Sequence, residues 1–390
     1  MVAFFIEGIF YAQFFTRIVN ALPESQKKNV VFFSRDPLAC EFVQKKLPQC
    51  LVLQVPVLVS VPEEAAFRQS SPRLAERLSK AVDECFEYVV GGDKRESCWH
   101  VLVSCFVFLN QFEQAAISQF VMCSGCGIGA KAARVMCDMK AIPTQFVELA
   151  NLPDKIFVDP EGTNAHSLLA KSPDILDRYP PVDEAIHQAW MARYHAFKAQ
   201  PPRQALGNEL AGTILQCSRD KVLGTGQPYL FVPLQVSNDA QLWLYSQYKN
   251  EDVIRYALHL AENSDCRVVV KIHPAEPQLA EIERIVALQQ TLGFMLSSEL
   301  TTELIKQSAG IVTINSTVGL EGLLQHKPVV AIGDCFYKTF DHERLKKYIH
   351  HYLFDGVEFF SSESIQREVA RDFLNRSTKK RVEINAKVIS

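Results

Sequence analysis

Arg267-Val-Val-Val-Lys-Ile-His-Pro274 reads as a buried strand that runs straight into a polar turn. Side chains alternate along a strand, so Val268, Val270 and Ile272 share one face while Val269, Lys271 and His273 share the other. Outward from this strand the same rhythm repeats. Helical periodicity covers Glu251 to Asn263 before it and Leu279 to Leu292 after it. Tyr229 to Val236, Gly310 to Ile314 and Pro328 to Ile332 read as further strands, with a helix over Val318 to Gln325. The first half follows suit. Strands are expected at Val2 to Ile6, Asn29 to Ser34, Cys50 to Val55, Phe120 to Ser124 and Thr144 to Glu148. Helices are expected at Phe10 to Leu22, Pro37 to Lys46 and Ala130 to Met139. Strands alternating with helices give parallel sheets built from βαβ units.

The 390 residues exceed one ordinary core and suit two domains. Prolines at 180, 181, 201 and 202 and the polar stretch up to Pro228 break the rhythm between the two series. The expected fold is therefore α/β, with two Rossmann-like domains facing a cleft. Their expected bounds are 1–200 for the first domain, 201–228 for a linker region and 229–390 for the second domain with a terminal helix from Ser361.

Hydrophobic residues make up 48% and charged residues 22%, the balance of a globular protein. A net charge of -3 gives no overall field that would draw the chain to nucleic acid. The eleven cysteines are scattered singly through apolar stretches, which points to free thiols in a reducing, cytoplasmic setting. Cys123 and Cys126 have C-x-x-C spacing but lack a second ligand pair for zinc. The apolar run at Met1 to Phe5 is too short to span a membrane and has no basic leader.

In open α/β sheets ligands bind beyond the carboxyl ends of strands. Three loops of the second half meet that condition. Lys271 and His273, aimed by Pro274, present donors suited to a phosphate. In Asn315-Ser-Thr317, Ser316 or Thr317 caps the following helix, whose free amides form an anion site. Glu321, one turn into that helix, could accept ribose hydroxyl protons. In Gln235-Val-Ser-Asn-Asp-Ala-Gln241, Asp239 is a candidate nucleophile or base oriented by Gln235, Ser237 and Gln241. A helix N-cap is the plainer explanation of Asp239.

These segments, with His326-Lys-Pro328 after them, resemble the capsule polysaccharide biosynthesis family of β-Kdo glycosyltransferases, which use CMP-Kdo to build capsule linkers or to cap O-antigen chains. Phe146-Val-Glu148 and Asp159-Pro-Glu-Gly-Thr-Asn-Ala-His-Ser167 are similar to further family segments in the first half, although Val147 and Leu149 depart from the family's Glu and Gly. The resemblance implies a variant GT-B fold and a retaining transfer without metal or other cofactor. It places the carboxylate nucleophile of a double displacement on Asp239. Lys271, His273, Ser316 and Thr317 would neutralise the departing CMP phosphate. Glu148 or Glu161 would deprotonate the acceptor hydroxyl. Asn164 and Ser167 are acceptor-side candidates. The implied partners are a CMP-sugar and a glycan or lipid-linked glycan; the basic run Arg344 to His351 reads as a solvated helix face, with a contact to anionic lipid at the inner membrane as its alternative.

Two other readings compete. Gly125-Cys-Gly127-Ile-Gly-Ala130 fits G-x-G-x-x-G/A after a strand, with Glu148 near the position of a ribose-binding acid, which is the fingerprint of an NAD-dependent oxidoreductase. A catalytically silent sugar-nucleotide-binding module would keep the fold and lose the chemistry.

Overall fold

A computed structural model describes residues 1–112, 117–199 and 220–376. Its strands are β1 (Val2–Ile6), β2 (Val30–Ser34), β3 (Leu51–Gln54), β4 (Gln119–Cys123), β5 (Thr144–Leu149), β6 (Lys155–Asp159), β7 (Tyr229–Pro233), β8 (Arg267–Lys271), β9 (Met295–Leu296), β10 (Gly310–Thr313), β11 (Val329–Ala331) and β12 (Phe354–Asp355). They form two sheets in two compact units, one comprising Met1–Lys171 with Tyr352–Ser390, the other Ser172–His351.

The first unit holds a seven-stranded sheet in the order β12-β6-β5-β4-β1-β2-β3. Strands β1 to β5 run parallel, while β6 and β12 are added antiparallel. The central strands are apolar on both faces because both faces are covered. Phe4, Phe15 and Phe32 pack with Phe354 and Phe373 on one side. Phe5, Phe33 and Phe120 pack on the other against Trp99, Leu102 and Phe106 of the helix Arg95–Gln111.

The second unit is an all-parallel sheet in the order β11-β10-β7-β8-β9. The alternation read from the valine strand is realised, with Val268, Val270 and Ile272 in one core cluster and Val269 in another. Counted within each unit, both sheets follow the order 3-2-1-4-5 over their parallel strands. This is the doubly wound Rossmann order, whose reversal point lies between the first and fourth strands. In the second unit that point falls between β7 and β10; in the first, between β1 and β4.

The chain is apportioned between the units differently from the expected bounds of 1–200, 201–228 and 229–390. The helix Glu184–Lys198 belongs to the second unit, where Trp190 and Tyr194 are buried and Lys198 pairs with Glu321 at 2.7 Å. Residues 200–219, most of the expected linker, lie outside the described residues. Asp220 already packs on β9, its amide donating to the Leu296 carbonyl. From Tyr352 onward the chain returns to the first unit. There β12 pairs with β6, and residues 367–376 form a helix that seats Ala370 and Phe373 in the core. The expected terminal helix from Ser361 thus starts later, and its continuation past 376 lies outside the described residues.

The basic cluster at Arg344–His351 is used internally rather than displayed. Arg344 pairs with Asp177 at 2.6 Å, and the buried Lys346 pairs with Glu184 and Glu343. His350 shares a hydrogen bond with His187 at 3.1 Å. This removes two of the cations that a lipid contact there would need. No helix among the described residues is long and apolar enough to cross a membrane.

The end of β6 is fixed by a single carboxylate. Asp159 is 0% exposed, and its Oδ1 accepts amide hydrogens from Glu161, Gly162 and Leu168 at 2.8, 3.1 and 3.0 Å. Its Oδ2 accepts from the Leu169 amide and the Tyr352 hydroxyl, so it also fastens the returning chain. Asp159→Ala strands these buried donors and is expected to cost roughly 3–5 kcal/mol. Urea denaturation of the variant would measure it, and an unchanged midpoint would contradict the anchoring role.

Candidate functional site at the switch point of the second unit

Beyond Pro233 and Thr313 the neighbouring strands β7 and β10 diverge into loops, and carboxamides take over the pairing. Gln235, 6% exposed, donates from Nε2 to Asn315 Oδ1 at 2.8 Å. The Asn315 amide donates back to Gln235 Oε1 at 3.2 Å. Asn315 Nδ2 donates to the Gln241 carbonyl at 2.9 Å. The main chain of Gln235 is held in turn by the side chain of Asn250, through both its amide and its carbonyl.

Asp239 begins the short helix Ala240–Leu244, its Oδ1 accepting from the Gln241 amide at 2.8 Å. The N-cap expected of it is therefore present. Burial raises the pKa of its carboxyl; the Gln241 amide and His273 oppose the rise. Burial likewise lowers the pKa of His273, against the pull of Asp239 and Glu276. Carboxylate and imidazole are thus electrostatic neighbours. The Ala275 amide donates to His273 Nδ1 at 3.1 Å, so a neutral ring carries its proton on Nε2. At neutral pH His273 therefore offers a neutral N–H donor, not the charge-assisted donor expected from the sequence.

Ser316 is the N-cap of the helix Thr317–Leu324, its hydroxyl accepting from the Val318 amide at 3.2 Å. The Tyr337 hydroxyl donates to the Ser316 carbonyl. Two glycines let this helix sit close. A Cβ on Gly319 would strike the Tyr337 ring, and one on Gly322 would strike Ile311 of β10. Thr317 is exposed at the helix start.

Some expected donor-side residues are already engaged. Lys271 donates from Nζ to the Glu299 carbonyl at 2.6 Å. Glu321, 8% exposed, accepts from Lys198 at 2.7 Å and from the Tyr194 hydroxyl at 3.2 Å. Its carboxylate is committed to the helix Glu184–Lys198, which leaves it poorly placed to take a ribose hydroxyl. Pro274 is exposed on the turn after His273.

Glu276 was not singled out from the sequence. It is 2% exposed, and its Oε2 accepts from the Ser237 amide at 2.6 Å. Its Oε1 accepts from the Ser237 hydroxyl at 2.9 Å and the Gln278 amide at 3.0 Å. The signal available was an acid two residues past His273-Pro274, which looks like any surface glutamate. Ser237 is thereby assigned to holding its loop.

The first unit carries the other carboxylate candidates. Glu148 sits on β5, accepting from the Leu149 amide and raising the pKa of Tyr11 by its charge. Glu161 pairs with Lys171 at 2.7 Å. Asn164 adopts a left-handed φ of 49°, and its carbonyl accepts from the Ser167 hydroxyl at 2.6 Å. Ser167 is fully buried and caps the next turn through the Ala170 amide. Its hydroxyl is thus engaged inside the unit.

The dinucleotide fingerprint has a different cause. At the start of the helix Ile128–Lys140 the Ala130 amide donates to Glu7 at 3.3 Å, and the Ile128 amide to Glu87 at 2.9 Å. A Cβ on Gly127 would collide with the Glu7 carboxylate. The glycines make room for the protein's own anions where a pyrophosphate would have to lie. The NAD reading loses its physical basis there.

Among the described residues every cysteine is free, and no group of three or more His, Cys, Asp or Glu side chains is gathered as a metal site.

Residues 194–341 match the capsule polysaccharide biosynthesis protein family. The matched span contains all three loops of the switch point, and the family resemblance read from their motifs is borne out there. The first-half segments around Phe146 and Asp159 lie outside it. Among curated proteins, the chain is 24% identical over 229 residues to the capsule polysaccharide export protein KpsS of Escherichia coli, which covers 47% of this chain and 59% of that protein. It is 32% identical over 118 residues to Protein FixF of Sinorhizobium fredii, covering 29% of this chain and 28% of that protein. The match to the capsule polysaccharide modification protein LipB of Neisseria meningitidis is 27% over 137 residues, 32% of each. The chain therefore spans less than two thirds of each of these relatives. Among solved structures it is similar to the β-Kdo 2,4 transferase of Thermosulfurimonas dismutans KpsC, with a TM-score of 0.41, 16% identity and coverage of 61% of this chain and 81% of that one. Such a TM-score is too low to carry an argument.

The half-buried Glu7 makes stability depend on pH. Burial first, and repulsion from Glu87 second, raise its pKa from 4.5 to about 7. The folded chain therefore holds a proton that the unfolded chain releases between those values. Its contribution to stability is full below about 4.5 and is lost as pH rises through about 7. Glu7→Gln should remove that dependence, gaining stability relative to the parent at about pH 8 over about pH 5. Parallel urea titrations would show a widening gap; a constant gap would contradict the shift.

Proposed function

We propose that the chain is a retaining glycosyltransferase that moves β-Kdo from CMP-Kdo to a glycan or lipid-linked glycan acceptor in bacterial surface polysaccharide synthesis. The observation that carries this reading is the set of hydrogen bonds from Gln235 and the Gln241 carbonyl to Asn315, which fasten the Asp239 loop to the start of the Ser316-capped helix. The family match over 194–341 supports the polysaccharide-synthesis context. The motif resemblance motivates the finer assignment to Kdo, and the capsule names of KpsS and LipB agree with its context. The reading places the chain in the cytoplasm, at the inner membrane where a lipid-linked acceptor would stand.

In this reading Asp239 attacks the anomeric carbon of Kdo with the carboxylate oxygen that the Gln241 amide does not hold. The C–O bond to the CMP phosphate breaks, and its electron pair leaves with CMP. A phosphate leaving group needs charge stabilisation more than a proton. His273 Nε2–H and the amides at Thr317 supply it without a metal. Lys271 adds positive potential while tethered to Glu299. The acceptor hydroxyl then displaces Asp239, losing its proton to a second carboxylate, Glu148 or Glu161. Two inversions leave the configuration retained.

Asp239→Asn is expected to lower transfer from CMP-Kdo by roughly 10³-fold or more, with CMP affinity within a few-fold of the parent. His273→Ala is expected to weaken CMP binding by about tenfold, near 1.4 kcal/mol. Product analysis and calorimetry with CMP read the two effects. Full transfer by Asp239→Asn would remove the nucleophile, and unchanged CMP affinity in His273→Ala would remove the donor site. CMP binding without any transfer or donor hydrolysis by the parent would favour the silent module.

A further inference from the structure

A carboxylate buried among neutral donors is costly to keep unless it holds something in place. Glu276 is such a group. Its hydrogen-bond donors are the Ser237 amide, the Ser237 hydroxyl and the Gln278 amide, with no cation among them. Capping the turn at Gln278 would use one of these bonds. The other two cross 39 residues of sequence to a different loop.

Both ends of that crossing matter. On one side the Glu276 amide donates to the His273 carbonyl at 3.0 Å, and the Ala275 amide donates to His273 Nδ1. The turn from His273 to Glu276 is thus closed upon the imidazole from two directions. On the other side Ser237 stands two residues before Asp239, whose amide donates to the Val236 carbonyl at 3.0 Å. The Ser237 carbonyl also accepts from Trp243 Nε1 at 2.7 Å, which ties the loop to the helix that Asp239 caps.

We propose that Glu276 is a positioning residue that clamps the Asp239 loop to the His273 turn and so fixes the carboxylate and the imidazole relative to each other. It touches neither donor nor acceptor; it acts through Ser237 and His273. This rests on the reading of Asp239 and His273 as the reacting pair. The charged groups that act on His273 are Asp239, Glu276 and Lys271. Glu276 therefore serves a second purpose: its negative charge favours proton uptake by His273.

The test separates the clamp from plain stability and from the transferase reading. The variants are Glu276→Gln, which keeps the size but removes the charge and one of the two accepting oxygens of the clamp, and Ser237→Ala, which removes one clamped group and keeps Glu276. The first measurement is the imidazole titration of His273 by NMR in the full chain, with the resonance assigned by its loss in His273→Asn. Glu276→Gln should move the midpoint down; an unmoved midpoint in a folded variant would overturn the electrostatic coupling. The second is hydrogen exchange at the amides of residues 237–241. Ser237→Ala should speed exchange there and leave β1 to β5 unchanged, and unaltered exchange would overturn the clamp. The third is steady-state transfer or hydrolysis of CMP-Kdo. Glu276→Gln should lower kcat by roughly 10–100-fold while KM for the donor changes little, as expected for displaced reacting groups. A fall confined to KM would overturn the positioning role. If the parent neither binds CMP nor consumes CMP-Kdo, the transferase reading fails on its own. The NMR and exchange results then still decide whether Glu276 holds the two loops together.

Discussion

The reciprocal amide pair between Gln235 and Asn315 is the constraint on which the site rests. Strands β7 and β10 are hydrogen-bonded neighbours only as far as Phe231 and Ile311. Past that point the loops must separate to make room for a ligand, yet they must not drift. The Gln235 carboxamide meets both demands, because it carries no charge and both donates to Asn315 Oδ1 and accepts from the Asn315 main-chain amide. A salt bridge in the same place would bring charges that compete with a phosphate. Asn315 reaches further, to the Gln241 carbonyl, and so couples the helix start at Ser316 to the helix start at Asp239. Asn250 holds Gln235 from behind, which leaves the pair little freedom to slide.

The charges of the site are arranged around that neutral bridge. Glu321 is matched by Lys198, so its negative charge is cancelled before it reaches the helix N-terminus. Glu299 gathers the Val222 and Leu223 amides with its carboxylate, while its carbonyl takes the Lys271 ammonium. Lys271 is thus a tethered source of positive potential rather than a free arm. Glu276 is satisfied by neutral donors and retains its charge next to His273. The close packing of the helix Thr317–Leu324 on β10, which Gly322 permits, brings the helix start down to the sheet edge where these groups converge.

What the sequence disclosed and what it hid follow from the range of the interactions. The strand Arg267–Lys271 and its turn were legible because alternation and proline act within a few residues. The N-caps at Asp239 and Ser316 were legible for the same reason. Glu276 was not, since its meaning lies in a loop far upstream. Nor was the division into units. Residues 172–199 join the second unit through Lys198 and Tyr194 reaching Glu321, and the chain after Tyr352 joins the first through the pairing of β12 with β6. Neither contact leaves a local pattern. The basic run at 344–351 looked like a solvated face because its acidic partners, Asp177 and Glu184, lie about 160 residues earlier.

The two glycine-marked switch points carry the sharper lesson. Both units wind their parallel strands in the same order, so both possess a crevice at the carboxyl ends and a helix start pointing into it. A helix start attracts anions whatever their origin. In the first unit the occupants are internal: the carboxyl groups of Glu7 and Glu87 take the Ala130 and Ile128 amides. A phosphate arriving there would meet two carboxyl groups already holding the Ala130 and Ile128 amides. In the second unit the corresponding edge is lined by carboxamides, an imidazole donor and a tethered lysine, and the glutamate nearest the helix is neutralised by Lys198. The same topology is thus occupied by carboxyl groups in one unit and lined by neutral donors and a tethered lysine in the other. A glycine pattern alone records that an anion approaches a helix, and only the side chains facing it tell whether that anion is the protein's own.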